Sequence, residues 1–199
     1  MRRPALTAGL AVLVVGIILL AYGSYYASSL GALIEAGEWN VTWYSIEDSY
    51  GRWGKIIGSS SFPKNFNYKP LEYKGLREHF GFKATLHINL QQDATIIFRV
   101  GSDDGAILFV DGDVVINSWF LRAYTVDEYR LFLTVGQHEL TLWYYQWEPA
   151  GAGEEGPAIS FEMYVEGWEL TATIQLVGAA ICIVGGLIIV AGFFILRKE

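Results

Sequence analysis

Two long apolar stretches stand near the ends of this chain and constrain everything between them. The first runs from about Pro4 to Tyr22 without a charge, after Met1-Arg2-Arg3. The second runs from Leu170 to Leu196, opening beside Trp168 and closing with Arg197-Lys198. A helix needs roughly 20 apolar residues to cross the hydrocarbon core of a bilayer, and both stretches suffice. Short basic flanks stay cytoplasmic, while Trp and Tyr gather at the interface. The expectation is a two-pass protein of the cell membrane with both termini cytoplasmic. Residues 1–27 would form the first transmembrane helix, 28–168 a domain outside the cytoplasm, and 169–199 the second helix with its short basic tail. The competing reading of the first stretch is a cleaved signal peptide, since Ala21-Tyr22-Gly23 resembles a small-x-small cleavage site. Signal cores are usually about 7–15 residues; this one is longer, which favours a retained anchor.

Glycine recurs every seven residues in both stretches, at Gly9, Gly16 and Gly23 and at Gly178, Gly185 and Gly192. Seven residues are close to two helical turns, so each set lines one narrow stripe. Small residues let membrane helices approach closely, where packing drives association. The stripes fit a two-helix antiparallel hairpin, self-association, or docking onto another membrane subunit; spacing does not separate these. No charged residue lies within either stretch, and Gln175 and a few hydroxyls are the polar side chains there. Ion relays and voltage sensors need ionisable groups at that depth. The chain reads as anchored in the bilayer rather than transporting across it.

The segment between the stretches is long enough for one domain. Its core must hold without disulfides, because the chain's single cysteine, Cys182, lies in the second stretch. Charge within the segment is lopsided. From Arg52 to Lys83 there are Arg52, Lys55, Lys64, Lys69, Lys74, Arg77 and Lys83 against Glu72 and Glu78. From Ala84 to Glu169 there are Arg99, Arg122 and Arg130 against fourteen acids. Nucleic-acid binding selects basic surfaces, so the acidic part argues against it. Such polarity can match an assembly partner, or be an unevenly charged solvated surface.

Period-two alternation and β-forming residues dominate the segment. Strands are expected at Trp39–Ile46, Phe82–Leu90, Ala94–Val100, Ala106–Val110, Val114–Asn117, Tyr129–Val135, His138–Trp147 and Ala158–Val165. Asp111-Gly112 is a hairpin signal, and Val135-Gly136-Gln137 marks another tight reversal. Many short strands with close turns mean a sandwich or a barrel. The stretch from Glu47 to Gly81 reads as a long irregular insertion, packed through Trp53, Phe62, Phe66, Tyr68 and Tyr73.

The run from Phe98 to Trp119, with Ser102-Asp103-Asp104-Gly105, an apolar strand, Asp111-Gly112 and an aliphatic strand before the Trp, resembles the centre of a PA14 domain. Downstream, Val135 to Gln146 is similar to that family's later Gly-x-His strand with its Tyr-rich end, and Trp39 to Tyr44 to its opening strand. The resemblance implies an all-β sandwich, here flanked by N- and C-terminal transmembrane α-helices. In the sugar-binding branch of the family, the matching Asp pair holds calcium, which coordinates sugar hydroxyls. That implication falls on Asp103 and Asp104, whose hard oxygen donors suit Ca2+. Two carboxylates side by side repel unless a cation bridges them. Equally, Asp side chains cap turns by accepting nearby backbone amides, and both readings stay open. The second loop that completes the family's site corresponds to Trp147 to Pro157, which has no Asn or Asp. Glu154 or Glu155 would have to supply further metal ligands, and Trp147 a surface for a sugar ring.

Asp111 and Asp113 flank the hairpin Gly112, and turn chemistry explains them better than metal does. His79, His87 and His138 lack metal-ligand spacing. No nucleophile elbow or phosphate loop is present, so an enzyme is not expected. Asn40-Val41-Thr42 is an N-glycosylation sequon. The functional expectation is a non-enzymatic, membrane-anchored surface protein, an accessory or structural subunit of a larger assembly. The alternative is a calcium-dependent module that binds glycans in adhesion.

Overall fold

The computed structural model describes residues 3–147 and 156–197, with side chains placed for 6–147 and 156–193. The chain divides into a helical unit and a β unit, Leu33–Val165. The helical unit holds α1 (Arg3–Gly31) and α2 (Trp168–Arg197). Within them, 18-residue stretches with mean hydropathies of 2.4 and 2.6 lie in Leu6–Gly31 and Trp168–Phe193, which are 26 residues each. At 1.5 Å per residue such a span covers about 39 Å, longer than a bilayer core of about 30 Å. Both helices are long and apolar enough to cross a membrane.

The glycine stripes face each other inside this unit. Gly9, Gly16, Gly23 and Leu30 are buried on α1, and Thr171, Gly178, Gly185 and Gly192 on α2, while the residues between them are largely open. A methyl group added at Gly16 would stand 2.7 Å from Cys182 N, and one at Gly185 2.6 Å from Leu13 N. The two backbones therefore touch directly, which only glycine permits. Gln175 Nε2 donates to Ser24 Oγ at 3.3 Å, tying the two helices by side chains as well. Of the arrangements that spacing left open, the stripes are used in an antiparallel hairpin.

The β unit is two antiparallel sheets. The seven-stranded sheet runs β3 (Trp53–Phe62), β2 (Trp39–Ile46), β5 (Phe80–Leu90), β10 (Gly136–Gln146), β7 (Gly105–Val110), β8 (Asp113–Ser118), with β1 (Ile34–Ala36) also paired to β5. The four-stranded sheet runs β4 (Phe66–Tyr68), β11 (Ala158–Val165), β6 (Ala94–Asp103), β9 (Thr125–Leu133). Alternation decides which side chains turn inward: Trp39, Val41 and Trp43 on β2, Leu140, Leu142 and Tyr144 on β10, and Ile96, Phe98 and Val100 on β6 are all buried. Trp39 meets Phe161 edge-on at 4.8 Å, and Trp43 meets Phe82 at 5.3 Å. Edge-to-face pairs of this kind are favoured by the ring quadrupole. Apolar burial is the main source of stability here.

The eight expected strands are all present, several one to four residues longer at an end. The stretch Glu47 to Gly81, read as irregular, is not: it contains β3 and β4. β3 escaped recognition because it is an edge strand exposed along most of its length, so Gly54, Gly58 and Ser59-Ser60-Ser61 replace the apolar alternation. Its aromatic residues do pack, as expected: Tyr73 stacks on Trp43 at 4.2 Å.

Candidate functional site

The Ser102-Asp103-Asp104-Gly105 string forms the junction between β6 and β7, the point where the chain passes from one sheet to the other. The Asp103-Asp104 peptide bond is cis. Asp103 is 8% exposed and Asp104 5%. Burial of a carboxylate is costly unless hydrogen bonds or charges compensate, and here the compensation is visible. Asp104 Oδ1 accepts from the Arg122 main-chain N at 3.2 Å, and Oδ2 from the Trp147 N at 2.9 Å. One carboxylate thus holds the segment after β8 and the end of β10. The Asp104 carbonyl accepts from Ser102 Oγ at 2.8 Å, and the Asp103 carbonyl from the Tyr144 hydroxyl at 2.6 Å.

Cations and phenols complete the cluster. Arg122 Nη2 donates to Ser102 Oγ at 2.8 Å and pairs with Asp127 Oδ2 at 2.7 Å. Asp127 also accepts from Ser118 Oγ at 2.9 Å. Full burial, together with the charges of Asp103 and Asp104, pushes the Tyr144 phenol well above its ordinary range. Burial and the charges of Asp104 and Asp48 push Tyr145 up to about 12. Both phenols therefore stay protonated donors at any physiological pH. Gly105 has no room for a side chain, because a Cβ there would enter the Tyr145 ring.

The expected residues distribute as follows. Asp103 and Asp104 sit together, and Trp147 joins them through its main chain while its ring rests on His79 at 4.3 Å. Glu154 and Glu155 lie outside the described residues. Among the described residues, no group of three or more His, Cys, Asp or Glu side chains is close enough to hold a metal ion. Asn40 is exposed at the start of β2. Asp111 acts as turn chemistry requires: Asp111 and Gly112 both have positive φ, 51° and 87°, the geometry of a two-residue hairpin turn. Its carboxylate accepts from Glu139 N at 2.9 Å and meets His138 Nδ1 at 2.7 Å. Arg122 and Asp127 belong to the Asp cluster yet carry no local motif, while Tyr144 stands in the Tyr-rich end of the later strand, which was the available signal.

No family model matches the chain, and no curated protein matches it in sequence. A solved structure shares its fold, and others align with it more loosely. An anti-sigma factor domain-containing protein aligns with a TM-score of 0.53 at 16% identity, covering 67% of this chain. The chain spans 44% of the length of that structure. A PA14 sugar-binding domain from an RTX adhesin aligns at 0.43 with 15% identity, over 65% of this chain and 90% of its own. The PA14 domain of the antifreeze protein MpAFP aligns at 0.46 with 11% identity, over 67% of this chain and 85% of its own. At such identities the likeness concerns the fold alone.

Proposed function

We propose that this chain is a non-enzymatic, membrane-anchored surface protein of the PA14-like kind, with its sandwich outside the cytoplasm as an accessory or structural subunit of an assembly. The backbone contact between α1 and α2 is the observation that supports it best. An anchor whose two helices meet backbone to backbone at Gly16, Gly178 and Gly185 behaves as one packed unit. The strongest cluster of polar groups in the domain also fits a structural task. Both Asp104 oxygens are engaged by main-chain N–H groups of other segments, so the carboxylate works as a tie between loops. Gentle detergent extraction of the full chain followed by native mass spectrometry tests the reading. Co-purifying subunits in fixed ratio support it; a chain that emerges without any other protein counts against it. Labelling of Lys83 by a membrane-impermeant reagent in intact cells checks the orientation.

A second reading keeps the same anchor but gives the Asp pair a ligand. Two adjacent carboxylates under one-tenth exposed fit a bridging Ca2+ with sugar hydroxyls in its open positions. Calorimetric titration of the full chain in detergent with CaCl2, then with a glycan panel, decides between the two. Heat of calcium binding that vanishes in Asp103→Asn favours the ligand site, and no heat removes it.

A further inference from the structure

The outer face of the four-stranded sheet carries an ordered row of charge that stops at an open edge. Glu162 on β11, Arg99 on β6 and Glu128 on β9 lie side by side in register. Arg99 pairs with Glu162 at 3.3 Å and with Glu128 at 3.7 Å, so the signs alternate across three strands. β9 is the last strand of the sheet, and among the described residues no strand pairs with its far side. Natural edge strands are blunted by proline, a bulge, shortness or charged side chains. β9 has charge, in Asp127, Glu128 and Arg130, but none of the other devices: it is nine residues long, has no proline and pairs with β6 without a register shift. It also exposes Val126 (43%), Tyr129 (41%) and Phe132 (61%).

We propose that β9 pairs antiparallel with β9 of a second copy of this chain, about a two-fold axis passing between the two Tyr129 residues. The inference goes beyond the assembly reading, because the partner is the chain itself. Directly opposite residues in a sheet share a face, so the axis must fall on a residue rather than between two. Centred on Tyr129, the strand is self-complementary: Glu128, which meets Arg130 of its own copy at 3.2 Å, also faces the other copy's Arg130, and Val126 faces its Phe132. The charge row then gains one further alternation, the other copy's Arg130, before it meets Ile97 on that copy's β6. Apolar pairs flank the charged ones on the same face. Asp127 would face Leu131 on the inner side, where it keeps its own partner, Arg122 at 2.7 Å. The product is one continuous sheet of eight strands, two sandwiches joined edge to edge, and no unpaired β9 remains to recruit other chains.

Cysteine cross-linking of the full chain in lipid vesicles tests this, in a Cys182→Ala background so that the native thiol is absent. In the proposed register the two Tyr129 Cα atoms lie about 4.5–5.5 Å apart, within disulfide reach. Tyr129→Cys therefore forms a disulfide-linked dimer under mild oxidation. Phe132→Cys stays monomeric, because its two copies sit six residues out of register, about 20 Å apart. A mixture of Val126→Cys and Phe132→Cys chains gives a cross-linked heterodimer. Charge reversal supplies the second arm: Glu128→Arg or Arg130→Glu alone weakens the dimer at least tenfold, and the double reversal restores it. Absence of the Tyr129→Cys dimer, equal cross-linking at position 132, or single and double reversals behaving alike would overturn the proposal.

Discussion

The main-chain N of Trp147 donates to Asp104 Oδ2 across 2.9 Å, joining residues forty-three apart in sequence at the sheet-to-sheet junction. The other oxygen of the same carboxylate takes the Arg122 N–H at 3.2 Å. Asparagine at this position keeps one acceptor and turns an N–H donor toward the second amide. Leaving a buried donor unpaired costs about 1–3 kcal/mol. Asp104→Asn should therefore lower stability by about that amount in thermal unfolding followed by circular dichroism. An unchanged melting temperature would show that the carboxylate ties neither segment.

Most of the architecture was legible because burial writes itself into alternation. Strands flanked by core on one side, such as β2 and β10, announce themselves through inward Trp, Leu and Tyr at every second position. β3 lies at an edge with solvent along most of both faces, so no period forms and its glycines and serines read as loop. The site was half legible. Asp103 and Asp104 are contiguous, and a string of four residues gives them away. Arg122, Asp127 and Tyr144 reach the same cluster from three other segments, and only the folded chain brings such residues together. The glycine stripes were visible by spacing, but their mutual contact depends on antiparallel register, which no local pattern encodes.

That contact gives a prediction for the anchor. A leucine at Gly16 must displace the backbone of α2 near Cys182, and a leucine at Gly185 the backbone of α1 near Leu13. Side chains cannot yield there, so the helices must separate over at least one turn, forfeiting dispersion contacts along the stripe. Either Gly16→Leu or Gly185→Leu should abolish cross-linking by a short bis-maleimide between cysteines introduced at Ser24 and Gln175, whose side chains meet across the two helices at 3.3 Å. Gly186→Leu should leave it intact, since nothing lies within 4 Å of a Cβ at Gly186.

In the sandwich, Phe161 and Phe132 separate burial from composition. Phe161 is fully buried, with its ring 4.8 Å from that of Trp39. Phe132 is 61% exposed on the edge strand. Removing a buried phenyl ring costs about 3–5 kcal/mol, through lost transfer energy and the cavity left behind. Exposed substitutions away from such features stay within about 0.5 kcal/mol. Phe161→Ala should unfold the domain at markedly lower denaturant concentration, and Phe132→Ala should match the parent when both are compared at dilution.

His138 links pH to the hairpin at Asp111-Gly112. Its Nδ1 lies 2.7 Å from Asp111 Oδ2 and its Nε2 2.8 Å from the Thr134 carbonyl. Both neighbours are acceptors, so both ring nitrogens need a proton, and only the imidazolium satisfies them together. Burial opposes the charge on each partner, but the hydrogen bonds outweigh it: His138 is raised above its ordinary value and Asp111 held below its own. The raised histidine contributes stability that is complete below about 6.5 and fades as pH climbs through its folded value. The lowered aspartate contributes stability that is complete above about 4 and fades as pH falls through its folded value. Together they favour the fold most between about pH 4 and 6.5. Because Asp111 is open to solvent, the pair is worth at most about 1 kcal/mol. His138→Gln, which stays neutral, should flatten the decline in melting temperature on the alkaline side of pH 6.5. A parent and variant with parallel profiles from pH 5 to 8 would show that the imidazole does not carry its charge in the folded chain.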